Sequence, residues 1–164
     1  MKRILLLSAL TTLFLSCGPS KNVSYSHRPF AAEGCTVSYS ALQQDSQLYI
    51  VVMVKSDRLV FGENPTMMLK NFEGEVLKLE GTSLQAQTET SGVLIGYMVL
   101  PISELKAMAQ FPVDLADVDF FKSGIAKVRL STVPIVHEKS FSSDRIGKYL
   151  YSELLSANSS ENSF

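Results

Sequence analysis

Hydrophobic side chains at every second position constrain the fold of this chain more than any other feature. Apolar residues alternate with hydroxyl-bearing residues over residues 36–42, and with Lys127 and Arg129 over residues 125–130. This spacing is that of a strand with one buried and one solvent-facing side. Residues 48–54 (LYIVVMV) are apolar without interruption, which is typical of a central strand covered on both faces. The pattern therefore predicts half-buried strands around a buried one.

Other segments extend the predicted sheet. Residues 67–70 and 75–80 are expected to form a hairpin, because Gly74 can supply the positive φ that a short connection needs. The polar residues 81–92 (GTSLQAQTETSG) are predicted to form a loop. The remaining predicted strands are residues 59–61, 93–100 and 133–141, the last of which pairs with residues 125–130.

Two segments have the spacing of short helices. In the first, Ser103 is the predicted N-cap, with Leu105, Met108 and Ala109 on one face. In the second, Ser142 or Ser143 is the predicted cap, and the apolar face is formed by Ile146, Tyr149, Leu150 and Leu154. The second helix is therefore amphipathic and lies near the C-terminus.

Together these elements predict a mainly β protein. We expect an antiparallel β-sandwich or open sheet of about seven to eight strands, with one or two short helices that include the amphipathic C-terminal helix. Strands and helices do not alternate regularly, which argues against a parallel βαβ arrangement.

The N-terminus has the organisation of a secretory signal. Lys2 and Arg3 precede twelve uncharged residues, 4–15 (ILLLSALTTLFL), and Ser16 and Cys17 follow. This segment resembles a bacterial lipoprotein signal, although Phe14 stands where that family prefers an aliphatic residue. The resemblance implies cleavage before Cys17 and attachment of acyl chains there. An ordinary secretory signal with an incidental cysteine is the alternative.

The residues after Cys17 bear on where such a lipoprotein would lie. By the same resemblance, Gly18 disfavours retention in an inner membrane, and the absence of acidic residues in GPSKN disfavours export to the cell surface. The periplasmic face of the outer membrane is thus the expected location, with surface exposure as the alternative. The predicted organisation is a signal peptide over residues 1–16, an anchor and flexible tether over 17–34, one β-rich domain over 35–156 and a disordered tail over 157–164.

A second resemblance covers most of the predicted domain. The tracts DRLVF, EGEVLKLEG and IAKVRLS, followed by an amphipathic helix, are similar to small β-rich lipoproteins of gut Bacteroidetes. The resemblance implies a lineage and carries no activity with it.

Net charge argues against a nucleic-acid partner. The chain has 15 basic and 16 acidic residues, and loss of residues 1–16 removes two basic and no acidic ones, leaving a net charge of −3. The basic residues are dispersed, so nucleic-acid binding is not expected. The expected partners are the membrane, through the anchor, and an envelope protein or glycan.

Two candidate chemical motifs in the sequence are incomplete. Ser103 and Lys106 match the S-x-x-K pattern of penicillin-recognising enzymes. The intermediate S-x-N element of those enzymes is missing, so Ser103 is interpreted as a helix cap. Asp114, Asp117 and Asp119 lack the spacing and glycine of a calcium loop, so no metal or other cofactor is expected.

The sequence leaves one possible cysteine–histidine pair undecided. Cys35 could act as a nucleophile with a histidine, and the chain offers only His27, in the predicted tether, and His137. Sequence alone does not say whether Cys35 and His137 meet. The aromatic residues that might bind sugars are interpreted as packing residues, namely Tyr25, Phe30, Tyr149 and Tyr151. We therefore expect no catalytic residues and a non-catalytic binding or scaffolding module; the alternative is a small hydrolase or thiol enzyme using Cys35 and His137.

Overall fold

The computed structural model describes residues 23–27, 34–95 and 98–160. Its strands are β1 (Val23–His27), β2 (Cys35–Gln44), β3 (Gln47–Ser56), β4 (Val60–Phe61), β5 (Thr66–Asn71), β6 (Val76–Glu80), β7 (Thr82–Ile95), β8 (Met98–Val113), β9 (Ile125–Leu130), β10 (Thr132–Val133) and β11 (His137–Ser140). A 3₁₀ helix spans Leu115–Ser123, and helix α1 spans Gly147–Ser160. The predicted mainly β class with a C-terminal helix is confirmed.

The strands form two open antiparallel sheets and one short pair. The larger sheet has the order β1-β2-β3-β8-β7, and the smaller has the order β11-β9-β5-β6. A third pairing joins β10 to β4. Among the described residues, β1 is therefore a terminal strand of the larger sheet and β11 a terminal strand of the smaller one.

Alternation of side chains along β2 and β3 builds the inner face of the larger sheet. Val37 and Tyr39 are fully buried on β2, opposite Val54 and Val52 on β3. Asp45 and Ser46 join the two strands, and both have positive φ, the backbone twist that suits a two-residue hairpin. Residues 48–54 thus lie in the middle strand of the larger sheet, as the uninterrupted apolar run predicts.

One hydrophobic cluster includes residues of both sheets, the 3₁₀ helix and α1. Helix α1 packs on β2, β3 and the 3₁₀ helix. On its predicted apolar face Leu150 and Leu154 are fully buried and Tyr149 is partly buried, while Ile146, just before the helix, is also fully buried. Its start is pressed close to Gly124, since a Cβ on Gly147 would lie 2.6 Å from the Gly124 Cα. A glycine is thus needed where the helix begins.

Asp144, and neither predicted serine, caps this helix. Its carboxylate accepts hydrogen bonds from the backbone N–H groups of Ile146, Gly147 and Lys148, and from that of Ile125 on β9. Burial acts to raise the pKa of Asp144, but the four donors outweigh it and lower the pKa below its usual value. The cap therefore fixes α1 to the smaller sheet as well as starting it.

Two predictions on the long hairpin were wrong. Residues 103–109, expected to form a helix capped by Ser103, lie within β8, and the polar residues 82–92, expected to form a loop, lie within β7. β8 pairs with β3 on one side and β7 on the other. These long-range ladders outweigh the local helical spacing, as tertiary context commonly does for weak propensities.

The ends of the domain also differ from expectation. Residues 23–27, placed in the tether, form β1, because they pair with β2 and bury Tyr25. Residues 157–160, placed in the tail, continue α1. Of residues 133–141, expected to form one strand beside β9, only β11 pairs with β9. Val133 pairs instead with Val60 of β4. The predicted signal peptide and Cys17 lie outside the described residues.

Replacing the cap tests its contribution to stability. We expect Asp144→Ala to lower the free energy of unfolding by about 1–2 kcal/mol at pH 7, because four backbone donors lose a charged acceptor. The pKa of Asp144 is lower in the folded state, so its contribution is complete above the unfolded value of about 3.9 and is lost as pH falls through the folded value. Urea titrations at pH 7 and pH 3 should show the difference from the native protein shrinking at the lower pH. Ser143→Ala is the control and should change little; an equal loss there would contradict the assignment.

Candidate functional site

A polar cleft of about 400 Å³ lies where the terminal strands of the two sheets approach each other. Residues 24–26 of β1 line one part, residues 139–142 line another, and Arg145 completes it just before α1. The lining includes four serines, and its aromatic residues are Tyr25 and Phe141, whose rings meet edge to face with centroids 5.1 Å apart. Segments more than 100 residues apart thus build one concave surface.

The part of the cleft lining that the structure describes is positively charged. Lys139 and Arg145 are the only charged residues among the described residues that line it, and neither is joined in an ion pair within the described part of the chain. On the outer face of the smaller sheet, by contrast, Lys127 is paired with Glu138 at 2.7 Å. The two cations in the cleft are therefore not neutralised by nearby carboxylates of the described chain.

A buried hydrogen-bonded chain lies behind the cleft and consists of Cys35, His137, Tyr25 and Tyr39. The Tyr25 hydroxyl is 2.9 Å from the Tyr39 hydroxyl and 3.0 Å from His137 Nε2. The Cys35 Sγ is 3.6 Å from His137 Nδ1. Tyr39 is fully buried, and the other three are 4% to 7% exposed. This buried chain connects β1 and β2 of the larger sheet to β11 of the smaller one.

Local structure explains why these four side chains meet. Strand alternation turns Cys35 and Tyr39 to the buried face of β2, and β1 pairs with β2 so that Tyr25 lies opposite Val37. His137 is the first residue of β11, and its N–H donates to the Thr132 hydroxyl at 3.0 Å. That hydroxyl in turn donates to the carbonyl of Ile135 at 2.6 Å. Thr132 therefore positions the backbone of His137.

Burial favours the neutral forms of the cysteine and the two tyrosines. It raises the pKa of the Cys35 thiol and the pKa of both tyrosine hydroxyls, and for Tyr25 the hydrogen bond with Tyr39 only partly opposes it. Thiolate is the reactive form of cysteine, and a raised pKa makes it scarce at neutral pH. The arrangement has the geometry of a cysteine–histidine pair without the pre-ionised thiol of an activated nucleophile.

The cleft and the thiol are adjacent but separate. Of the buried chain, only Tyr25 lines the cleft, whereas Cys35 and His137 do not. A ligand in the cleft would thus contact Tyr25 and the serines. The structure does bring Cys35 and His137 together, which sequence left open, and it places His27 on β1 opposite Cys35 in the strand register.

The other candidates from sequence have structural positions. Lys106 follows Ser103 on a strand, so the two are not on one helical turn. Asp117 and Asp119 lie in the 3₁₀ helix, Asp119 is paired with Lys122 at 2.8 Å, and no group of three metal-binding side chains occurs in the described ranges. Tyr149 and Tyr151 pack against the core as predicted, and Phe30 lies outside the described residues.

Sequence reasoning did not find Lys139 and Arg145. They belong to no motif, and only the approach of β1 to β11 gives them a common cleft. A basic residue beside a predicted edge strand is a weak signal, because charged side chains are common at such edges.

Comparison of this chain with protein-family models, curated proteins and solved structures gives no match. Over the residues that the structure describes, no helix combines the length and apolar character required to span a membrane.

Reactivity of Cys35 tests its environment. We expect iodoacetamide to modify Cys35 at least about tenfold more slowly in the folded protein than in urea, because the thiol is buried and its pKa is raised. The rate of modification, followed by intact mass between pH 6 and pH 10, should rise only above the usual thiol pKa of about 8.5. His137→Ala is the matched variant and should not slow the reaction. Fast labelling near pH 7 that is lost in His137→Ala would show an activated thiol instead.

Proposed function

We propose that this protein is a lipid-anchored, non-catalytic binding module of the bacterial cell envelope, with its ligand site in the cleft between β1 and β11. The observation that carries the proposal is the cleft itself, a concavity of about 400 Å³ with hydroxyl and cationic side chains converging from three segments. Ligand pockets in proteins typically start near 300 Å³ and combine shape with a few placed polar groups.

The buried hydrogen bonds among Cys35, His137, Tyr25 and Tyr39 support a preformed site. The hydrogen bond between Tyr25 on β1 and His137 on β11 joins the two strands that line the cleft. Because an unsatisfied buried polar group costs about 1–3 kcal/mol, this contact resists separation of the strands. A site whose walls are already fixed loses less conformational entropy on binding.

The lipoprotein signal supports the anchor at Cys17. The start of β1 at Val23 shortens the predicted tether, since six residue steps extend at most about 20 Å, compared with roughly 50 Å for a tether that reaches Gly34. On this proposal the cleft is held close to the membrane surface. Several acyl chains make such an attachment stable.

A thiol enzyme is the second candidate, and the 3.6 Å separation of Cys35 Sγ and His137 Nδ1 favours it. In such an enzyme His137 would accept the thiol proton and Cys35 would attack an electrophilic substrate. The raised pKa of Cys35 and its position outside the cleft weigh against this candidate. The iodoacetamide measurement separates the two functions.

Blocking the cleft tests the proposed ligand site. We expect members of a panel of monosaccharides, sugar acids, amino acids and dipeptides to shift the amide resonances of residues 24–26 and 139–142 in the ¹⁵N-labelled mature protein in non-ionic detergent. Ser140→Trp should abolish these shifts, because the indole would occupy the cleft. Ser152→Trp, on the exposed side of α1, should retain them. Shifts elsewhere, or none with the whole panel, would count against the cleft.

Substitution of the predicted anchor tests the membrane attachment. Cys17→Ala should lose incorporation of labelled palmitate and leave the membrane fraction, because the acyl chains attach to this residue. Cys35→Ala is the matched control and should keep both properties. Labelled Cys17→Ala protein that stays in the membrane fraction would overturn the proposal.

A further inference from the structure

We infer that the cleft between β1 and β11 binds the carboxylate or phosphate group of a small hydroxylated ligand, with Lys139 and Arg145 as the recognising cations. This inference rests on the proposed function and adds the class of ligand to it. The two cations come from different elements, the end of β11 and the segment before α1, and converge on one cavity.

The charge of the site differs from that of the whole protein. The full chain is slightly acidic, yet the described lining residues include two cations and no carboxylate. Two basic side chains of the smaller sheet are paired with carboxylates, Lys127 with Glu138 and Lys78 with Glu80. Lys139 and Arg145 have no such partner in the described part of the chain, which leaves the cleft complementary to an anion.

The two cations suit an oxyanion chemically. A guanidinium presents a planar set of donors that matches two oxygens of a carboxylate or phosphate, while an ammonium adds a compact charge with three donors. Lys139 is partly buried and Arg145 is exposed. Both groups are therefore placed to recognise a negative group that enters the cleft.

The serines indicate that the ligand has hydroxyl groups as well. Ser24, Ser140 and Ser142 are exposed in the lining, and a serine hydroxyl both donates and accepts. Ser26 already shares a hydrogen bond with Thr36 at 3.4 Å and is less available. A volume near the lower end of ligand pockets favours a small molecule over a polymer segment.

Calorimetric titration of the full mature protein in non-ionic detergent tests the inference. The probes are glucuronate and glucose 6-phosphate, with inorganic phosphate for the charge alone and glucose as the neutral counterpart. We expect both anionic sugars to bind more tightly than glucose by about tenfold or more, because each gains charge-assisted hydrogen bonds. Their affinity should fall as sodium chloride is raised. Inorganic phosphate should bind, but more weakly than glucose 6-phosphate.

Variants connect the binding to the cleft. Lys139→Gln and Arg145→Gln should each weaken binding of glucuronate about tenfold, and Lys139→Arg should restore most of it. Lys148→Gln, which removes one charge from an exposed position outside the cleft, should have no effect. Thermal unfolding of each variant confirms that the fold is intact.

The results separate failure of the anionic ligand class from failure of the proposed binding cleft. Glucose binding as tightly as glucuronate in the cleft, with Lys139→Gln without effect, would overturn the anionic class and leave a binding cleft. Anion binding that survives both cleft substitutions but weakens in Lys148→Gln would place the site elsewhere and overturn the inference. Failure of all four probes to bind would also overturn it, whereas failure of the wider panel in the Ser140→Trp experiment bears on the proposed function.

Discussion

The hydrogen bond between the Tyr25 hydroxyl and His137 Nε2 is the contact on which the arrangement of the two sheets at the cleft depends. It joins terminal strands of different sheets in a setting almost free of water, where Tyr39 and Cys35 complete the polar network. Neither β1 nor β11 has a second strand neighbour among the described residues, so ladder pairing holds each from one side only. Side-chain contacts between the two sheet edges, including the edge-to-face packing of Phe141 on Tyr25, hold β1 and β11 together in place of backbone hydrogen bonds.

The same burial that makes this network stabilising raises the pKa of the Cys35 thiol and so disfavours the reactive thiolate. A catalytic cysteine needs access to substrate and an environment that favours the thiolate, such as nearby positive charge or a helix N-terminus. Cys35 has a buried setting that favours the thiol, and the two cations of the site face the cleft and not the sulfur. The 3.6 Å separation is within hydrogen-bonding range for sulfur, but burial favours the neutral thiol and Cys35 does not line the cleft.

Local patterns predicted the parts of this fold that local physics decides. The alternation over β2 and β9 and the apolar face of α1 were readable because each has a clear period. β7 and β8 were not, since a polar strand and a helix-like spacing become strands only through pairing over long distances. The site shows the same division. Cys35 and His137 were identifiable as reactive residue types, but 102 residues separate them and their contact was not predictable. Lys139 and Arg145 could be recognised as cleft residues only from the structure, where they line the cleft together with β1.

On the proposed anchoring at Cys17, strand β1 would have two thermodynamically linked roles. It lines the cleft, and it follows directly after the tether on which the proposed anchor at Cys17 would act. The cleft exists only while β1 is paired with β2 and bonded to His137, so a ligand that binds there stabilises the docked strand. By reciprocity, any process that pulls β1 away weakens ligand binding by the same free energy. On the proposed anchoring, a short tether would place membrane attachment and ligand affinity on one structural element, β1, which Tyr25 bonds to His137 of β11.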